Sequence, residues 1–287
     1  MRFLDTERVL SNMRAAVRHL AHADPPRSDL KRAFIQALNA AQSTTIGTLD
    51  QDIFVDFENP DLVALLVKRT VFSSEEVADG VHLIPHTERD RIAANIGAAK
   101  ELLRRADPKL HDLVIQLVGS VAAYRIPSRD GGSVSCCIGL IWLSPREDWP
   151  IPYYAEMLVH EFVHNSVFLE DMVQGVMPNP HLLDHEDALS ISAIRQTRRP
   201  YDKAFHSACV SAALMRFYEA LGRQTDSLRY QIPLRRTVAD LIEHDRTLRA
   251  SGLDVLTDNG RCMLEELRAF AESWPKVAIG MPARTSA

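Results

Sequence analysis

One stretch constrains this chain more than any other: Glu156-Met157-Leu158-Val159-His160-Glu161-Phe162-Val163-His164-Asn165. Residues four apart on an α-helix lie on one face, a turn apart. His160 and His164 can therefore converge on a single metal ion, and Glu161 between them can reach a metal-bound water. Pro150 and Pro152 just upstream suit a helix start, because proline tolerates the first turn. Leu158, Val159, Phe162, Val163, Val167, Phe168 and Leu169 make the segment apolar nearly all round, which predicts a buried helix. Two imidazoles and a carboxyl inside such a helix need partners, since unpaired polar groups there are costly. Hydrogen-bonded core histidines would also meet that need, but the complete His-Glu-His set at this spacing favours a metal.

The bulk properties narrow the setting. The chain has 287 residues, 46% of them hydrophobic and 25% charged, ordinary values for a globular enzyme. A net charge of −5 argues against a general nucleic-acid binder, because proteins that track phosphates are usually basic. No apolar run is long enough to span a bilayer, and Met1-Arg2-Phe3-Leu4-Asp5 lacks a signal-peptide core. Four cysteines, two of them vicinal, do not make a disulfide framework. A cytoplasmic protein with no nucleic-acid or membrane partner is expected.

Periodicity predicts a mainly α chain with one small β region, an α+β protein of one compact domain. Its parts are an N-terminal helical region (1–75), a metal-binding core (76–225) and a C-terminal helical region (226–287). Apolar residues at spacings of three and four predict helices over Asp5 to Ala23, Ser28 to Ala41, Asp61 to Thr70, Thr87 to Ala106 and Lys109 to Ala123. Residues 50–74 otherwise read as mixed. His19 and His22 suit a helix C-terminus, and Pro85 between His82 and His86 spoils a helical ligand pair. From Arg125 to Pro145, Gly131-Gly132 and the apolar run Ile138 to Leu143 predict a hairpin or pair of strands leading into the HExxH helix. Cys136 and Cys137, adjacent on a strand, would face opposite ways and so pack rather than share a metal. A strong helix is expected over Asp202 to Leu221, and two more between Leu228 and Trp274 with breaks near Gly252 and Gly260.

A catalytic HExxH site normally adds one more protein ligand and keeps positions open for water or substrate. The metzincin pattern would need glycine at 167 and histidine at 170, where this chain has Val167 and Glu170. Asp171 lies roughly 10 Å along the helix from His164 and suits a supporting role better. A thermolysin-like scheme points to Glu186, with Asp184 beside it, and His181 or His185 could also serve. His206 remains, a histidine inside the apolar helix that follows Arg198-Arg199-Pro200.

Several features together resemble a known family. They are the helix end Arg105-Ala106-Asp107-Pro108, the strand entry Gly131-Gly132-Ser133-Val134-Ser135, the helix Leu158 to His164, and an Arg-Pro leading to Ala204-Phe205-His206. Over about half the chain, Thr87 to Gly222, the sequence resembles the HExxH-motif peptide-modification family, the 2-oxoglutarate-dependent HExxH-type peptide β-hydroxylases. The resemblance implies Fe(II) held by His160, His164 and His206, with 2-oxoglutarate bound by an arginine, Arg198 or Arg199, and Arg195 as a further candidate. Guanidinium suits that task because its planar fork matches a carboxylate.

Three functional readings follow. The resemblance implies a non-haem Fe(II)/2-oxoglutarate-dependent dioxygenase that uses O2 to hydroxylate the β-carbon of an amino-acid residue in a ribosomally made peptide, or a related small substrate, in natural-product biosynthesis. Glu161 then serves by orienting a ligand or substrate, and Glu156 one turn earlier could do the same. Read on the motif alone, the site is a zinc-dependent metallopeptidase with Glu161 as the general base. A degenerate domain that only binds a peptide along the strand edge is a third class.

Overall fold

The element boundaries fall where proline, glycine and capping side chains put them. The computed structural model describes residues 1–47 and 52–274. The first two residues of the stretch expected to be mixed, 50 and 51, and the last part of the C-terminal region, 275–287, lie outside the described residues. Helix α1 (Thr6–Ala21) is capped by the Asp5 carboxylate, which accepts from the Arg8 N–H at 2.8 Å. Helix α2 (Leu30–Gln42) follows, then strand β1 (Phe54–Asp56) and helix α3 (Pro60–Lys68), whose first turn holds Pro60 behind an Asn59 cap. Helix α4 (Ser74–Val77) carries a capping box made by Ser73 and Glu76. Helices α5 (His86–Ala106) and α6 (Pro108–Leu117) meet at Asp107, which caps the second of them.

The sheet comes next. Strands β2 (Ser120–Ala123), β3 (Gly131–Gly132) and β4 (Leu140–Leu143) join β1 in the order β1-β2-β4-β3. The β1-β2 and β2-β4 pairs are parallel and β3-β4 is antiparallel. Every residue of β2 and β4 is buried, as parallel strands covered on both faces require. Helix α7 (Ile151–Gln174) carries the HExxH motif, and a short hairpin of β5 (Ser190–Ile191) and β6 (Arg198–Arg199) follows it. Helices α8 (Tyr201–Ala220), α9 (Gln224–Ala250) and α10 (Asp258–Ser273) complete the chain. Helix makes up 66% of the structure, so the mainly α architecture with a small β region holds. Among the described residues no helix is long and apolar enough to cross a membrane.

Three local expectations need correction. The helix expected to reach Ala123 stops at Leu117, because the chain is extended from Val118 and then enters β2. A close approach fixes this point: a Cβ on Gly119 would stand 2.8 Å from the Ile35 side chain. The pair of strands expected between Arg125 and Pro145 forms as the antiparallel β3 and β4, with a 3-10 turn at Ser135–Cys137 between them. Cys136 and Cys137 therefore sit in a turn and not on a strand, and only Cys137 is buried. Near the end, the break falls at residues 251–257, and Gly260 lies inside α10. Its missing side chain lets the Val176 carbonyl come close, where a Cβ would meet that oxygen at 2.6 Å.

Helix α7 runs through the middle of the core, packed against α1, α5, α6 and α8. Phe162 and Val163 are fully buried, each contributing on the order of 1.5–3 kcal/mol by leaving water. Asn165 locks α7 to the sheet. Its Oδ1 accepts from the Gly139 N–H at 2.7 Å, and its Nδ2 donates to the Leu140 and Glu161 carbonyls at 3.1 and 3.0 Å. At the other end of the helix, the Asp171 carboxylate accepts from the Val176 and Met177 N–H groups. Asp171 thus closes the helix C-terminus and does not support a metal site.

Candidate metal centre and its cavity

Helices α7 and α8 present His160, His164 and His206 to one cavity of about 530 Å³. The 3.6-residue turn stacks His160 on His164 with ring centroids 5.1 Å apart. His206 enters from α8 in the second turn after Pro200, and its ring lies 5.1 Å from that of His164, nearly parallel at 20°. Small residues of α8, among them Ala204 and Ser207, flank His206 where α8 packs on α7. Phe168, one turn beyond His164, covers His206 with centroids 4.8 Å apart.

The electrostatics of this wall follow from burial. Removal from water pushes the His160 imidazole down to about 4, with the nearby Arg195 charge acting in the same direction. Burial likewise holds His206 at about 4, against the upward pull of Asp202. His164 falls well below the ordinary histidine value, through burial and then the neighbouring His160 and His206. All three rings are thus neutral at neutral pH and offer lone pairs, the form a metal ligand needs. Burial raises the Glu161 carboxyl to about 8, opposed by the Ser133 hydroxyl, which donates to Oε2 at 2.8 Å. That bond ties the exit of β3 to the HExxH helix, and Glu161 Oε1 lies 3.9 Å from His160 Nε2.

Whether these residues suit a metal is decided by donor chemistry. Three neutral imidazoles share one wall, a donor set that serves zinc, iron, copper or nickel. His164 Nδ1 and His206 Nδ1 stand 2.9 Å apart, close to the ~3 Å between adjacent ligands on an ion with bonds of ~2.1 Å at right angles. As they stand, one ring donates a hydrogen bond to the other, and among the described residues no three His, Cys, Asp or Glu side chains are already in metal-holding positions. The donor set fits a metal of this kind.

The cationic residues of the region divide by placement. Strand alternation sends Arg198 and Arg199 to opposite faces of β6. Arg199 lines the histidine cavity. Arg198 turns outward, where its Nε donates to the Leu189 carbonyl at 3.2 Å and its Nη2 meets His244 Nε2 at 3.3 Å. Arg198 does not line the histidine cavity. Arg195, in the hairpin loop, lines the same cavity, as does Lys203. The loop is pinned from two helices: Ala193 N–H donates to Ser207 Oγ at 2.8 Å, and Ile191 N–H donates to Asp240 Oδ2 at 2.7 Å.

The other third-ligand candidates stand elsewhere. His181 and Leu182 belong to one 3-10 turn, Glu186 and Asp187 to another, and none of His181, Asp184, His185 or Glu186 lines the histidine cavity. His185 instead accepts from the Asp187 N–H through Nδ1 at 3.3 Å. Glu156 does not face the metal wall. Its buried carboxylate takes hydrogen bonds from the Tyr218 hydroxyl, the Tyr230 hydroxyl at 2.7 Å and the Arg229 guanidinium at 2.9 and 2.7 Å. Those partners lie on α8 and α9, far away in sequence, and no local pattern announces them. Lys203 carried a findable signal, since it sits one turn before His206 on the same helix. No protein-family model matches the sequence, and no curated protein matches it.

Proposed function

We propose that the protein is an Fe(II)- and 2-oxoglutarate-dependent hydroxylase acting in the cytoplasm on an amino-acid residue of a peptide or on an amino-acid-like substrate. One observation carries the reading. The three imidazoles share their cavity with Arg195 and Arg199, neither of which has a carboxylate partner among the described residues. A cavity with neutral metal donors and free guanidinium groups suits a metal ion together with a dianionic cosubstrate. When bound, the iron and cosubstrate supply the oxidation: substrate C–H, O2 and 2-oxoglutarate give substrate C–OH, succinate and CO2.

The chain's own residues hold and orient. His160, His164 and His206 would hold the metal through lone pairs that burial keeps unprotonated. Arg199, which lines the same cavity, would hold the far carboxylate of the cosubstrate. Phe168 closes the wall beside His164 and His206, so water is kept from that side. Ser133 fixes the Glu161 carboxyl at the rim beside His160, where it orients a ligand or the substrate.

A second reading, a zinc hydrolase, is favoured by one specific feature. Glu161 carries a carboxyl raised to about 8 at the edge of the same cavity, a value suited to a general base near neutrality. Anaerobic titration separates the two. Protein loaded with Fe(II) should develop a visible charge-transfer absorption when 2-oxoglutarate is added. No such band, with amide cleavage that depends on Zn(II), would replace the hydroxylase by the hydrolase.

A further inference from the structure

The HExxH helix borders a second cavity, of about 570 Å³, in addition to the one that holds the three histidines. The two share one partition: His160, Glu161, Gly131, Ile194, Arg129 and Arg195. His164, His206, Arg199 and Lys203 face only the histidine cavity. The second volume lies in the range of small-molecule sites and is large enough for an amino-acid residue and its neighbours.

Three of the four arginines on this second wall are already committed to carboxylates. Asp130 is held by Arg146 and by the Tyr153 hydroxyl at 2.8 Å. Glu156 is held by Arg229, which stacks over Tyr230 at 4.7 Å. Arg129 reaches out of the cavity to Glu76, at 2.6 and 2.8 Å. Among the described residues, Arg195 is the one arginine of this wall without a carboxylate partner. It stands at the partition, and its charge is felt at His160. Lys203 instead acts on His164 and His206, and its Nζ pairs with Asp202 at 3.0 Å. Arg199 lines only the histidine cavity, whereas Arg195 lines both cavities.

We propose that the second cavity takes the substrate, and that Arg195 holds a carboxylate of that substrate beside His160 while Arg199 serves the cosubstrate. The proposal rests on the hydroxylase reading. It names a substrate class, an amino-acid residue or short peptide with a free carboxylate. That carboxylate comes from an acidic side chain or from a C-terminus, which present the same chemistry to a guanidinium fork.

The test uses the full chain as wild type, Arg195→Gln and Arg199→Gln, each loaded anaerobically with Fe(II). In a first arm, 2-oxoglutarate affinity is read from the charge-transfer absorption. Arg199→Gln should weaken it about tenfold or more, as loss of a bidentate charged pair does, while Arg195→Gln leaves it nearly unchanged. In a second arm, run with and without 2-oxoglutarate, proton NMR line broadening by the iron reports weak binding of three probes. These are N-acetyl-Ala-Asp-Ala-amide, N-acetyl-Ala-Ala-Ala free acid and N-acetyl-Ala-Ala-Ala-amide. One of the two carboxylate probes should broaden more than the neutral amide, in wild type and Arg199→Gln but not in Arg195→Gln, and which one identifies the carboxylate's source. Equal broadening of all three, no broadening of any, or broadening that survives Arg195→Gln overturns the proposal. An Arg195→Gln variant that loses 2-oxoglutarate as Arg199→Gln should also overturns it. Wild-type protein that binds iron but no 2-oxoglutarate sinks the hydroxylase reading instead, and the probe arm without cosubstrate still decides Arg195.

Discussion

Replacing His206 by alanine tests whether α8 supplies a metal ligand, and the size of the effect can be worked out beforehand. A ligand that binds only the folded protein stabilises it by RT ln(1 + [L]/Kd), about 2.7 kcal/mol when Fe(II) stands at 100 times Kd. For a chain of this size each kcal/mol moves Tm by about 2–4 °C, so wild type should gain about 5–11 °C. Removing even a group behind a metal ligand costs 10- to 100-fold in affinity, and loss of the ligand itself should cost about 100-fold or more. At the same Fe(II) concentration the variant then gains only about 0.4 kcal/mol, about 1–2 °C. The variant also loses the His206 ring from contact with Phe168 and His164, a packing loss of about 1–3 kcal/mol with or without metal. The quantity to read is therefore the shift on adding Fe(II), not Tm itself, measured anaerobically by circular dichroism. A variant that keeps the full metal-induced shift would refute the reasoning and remove α8 from the ligand set.

Three further outcomes are expected. Glu161→Gln should lower 2-oxoglutarate turnover only modestly while leaving Fe(II) binding in place, whereas loss of all metal-dependent activity, read by succinate and amide-cleavage assays, would point to a general base. Gly132→Ala would set a Cβ 2.7 Å from the Trp142 ring and should cost about 1–3 kcal/mol in a denaturant titration; an unchanged midpoint would mean that β3 yields easily. Burial pushes the Glu170 carboxyl up, but hydrogen bonds from Arg8, Asn259 and Asn12 outweigh it and hold the group below its usual value. A carboxyl lowered in the folded state stabilises above its unfolded pKa and loses that contribution as pH falls through its folded one. Glu170→Gln should therefore destabilise more at pH 7 than in acid, read by denaturant titration at the two pH values, and an equal loss at both would contradict this account.

Much of the site was legible because helices convert spacing into geometry. His160 and His164 had to share a face at four residues apart, and an apolar run around them had to bury that face. His206 was readable as a histidine inside an apolar helix, but its distance from His164 depends on how α8 packs, which no local pattern encodes. The arginines show the same limit. Three of them fall between 195 and 199, and only the alternation of β6 and the position of the loop separate Arg199 and Arg195 from the outward Arg198. The small sheet was underestimated for a related reason. Strands β1 and β2 are three and four residues long, too short for a period to emerge, and their parallel pairing brings together residues about 65 positions apart. The Glu156 cluster was equally hidden, since a carboxylate on α7 meets its tyrosines and arginine only after α8 and α9 fold back on it.

The most direct test of the central claim is 2-oxoglutarate turnover in metal-loaded protein. Protein loaded with Fe(II) without oxygen, given 2-oxoglutarate and ascorbate as the two-electron donor in place of substrate, and then exposed to O2, is assayed for succinate and CO2 against the same protein loaded with Zn(II). The account predicts succinate and CO2 in equal amounts with Fe(II), none with Zn(II), and none in His206→Ala. No succinate with Fe(II), together with amide cleavage restored by Zn(II), would contradict it.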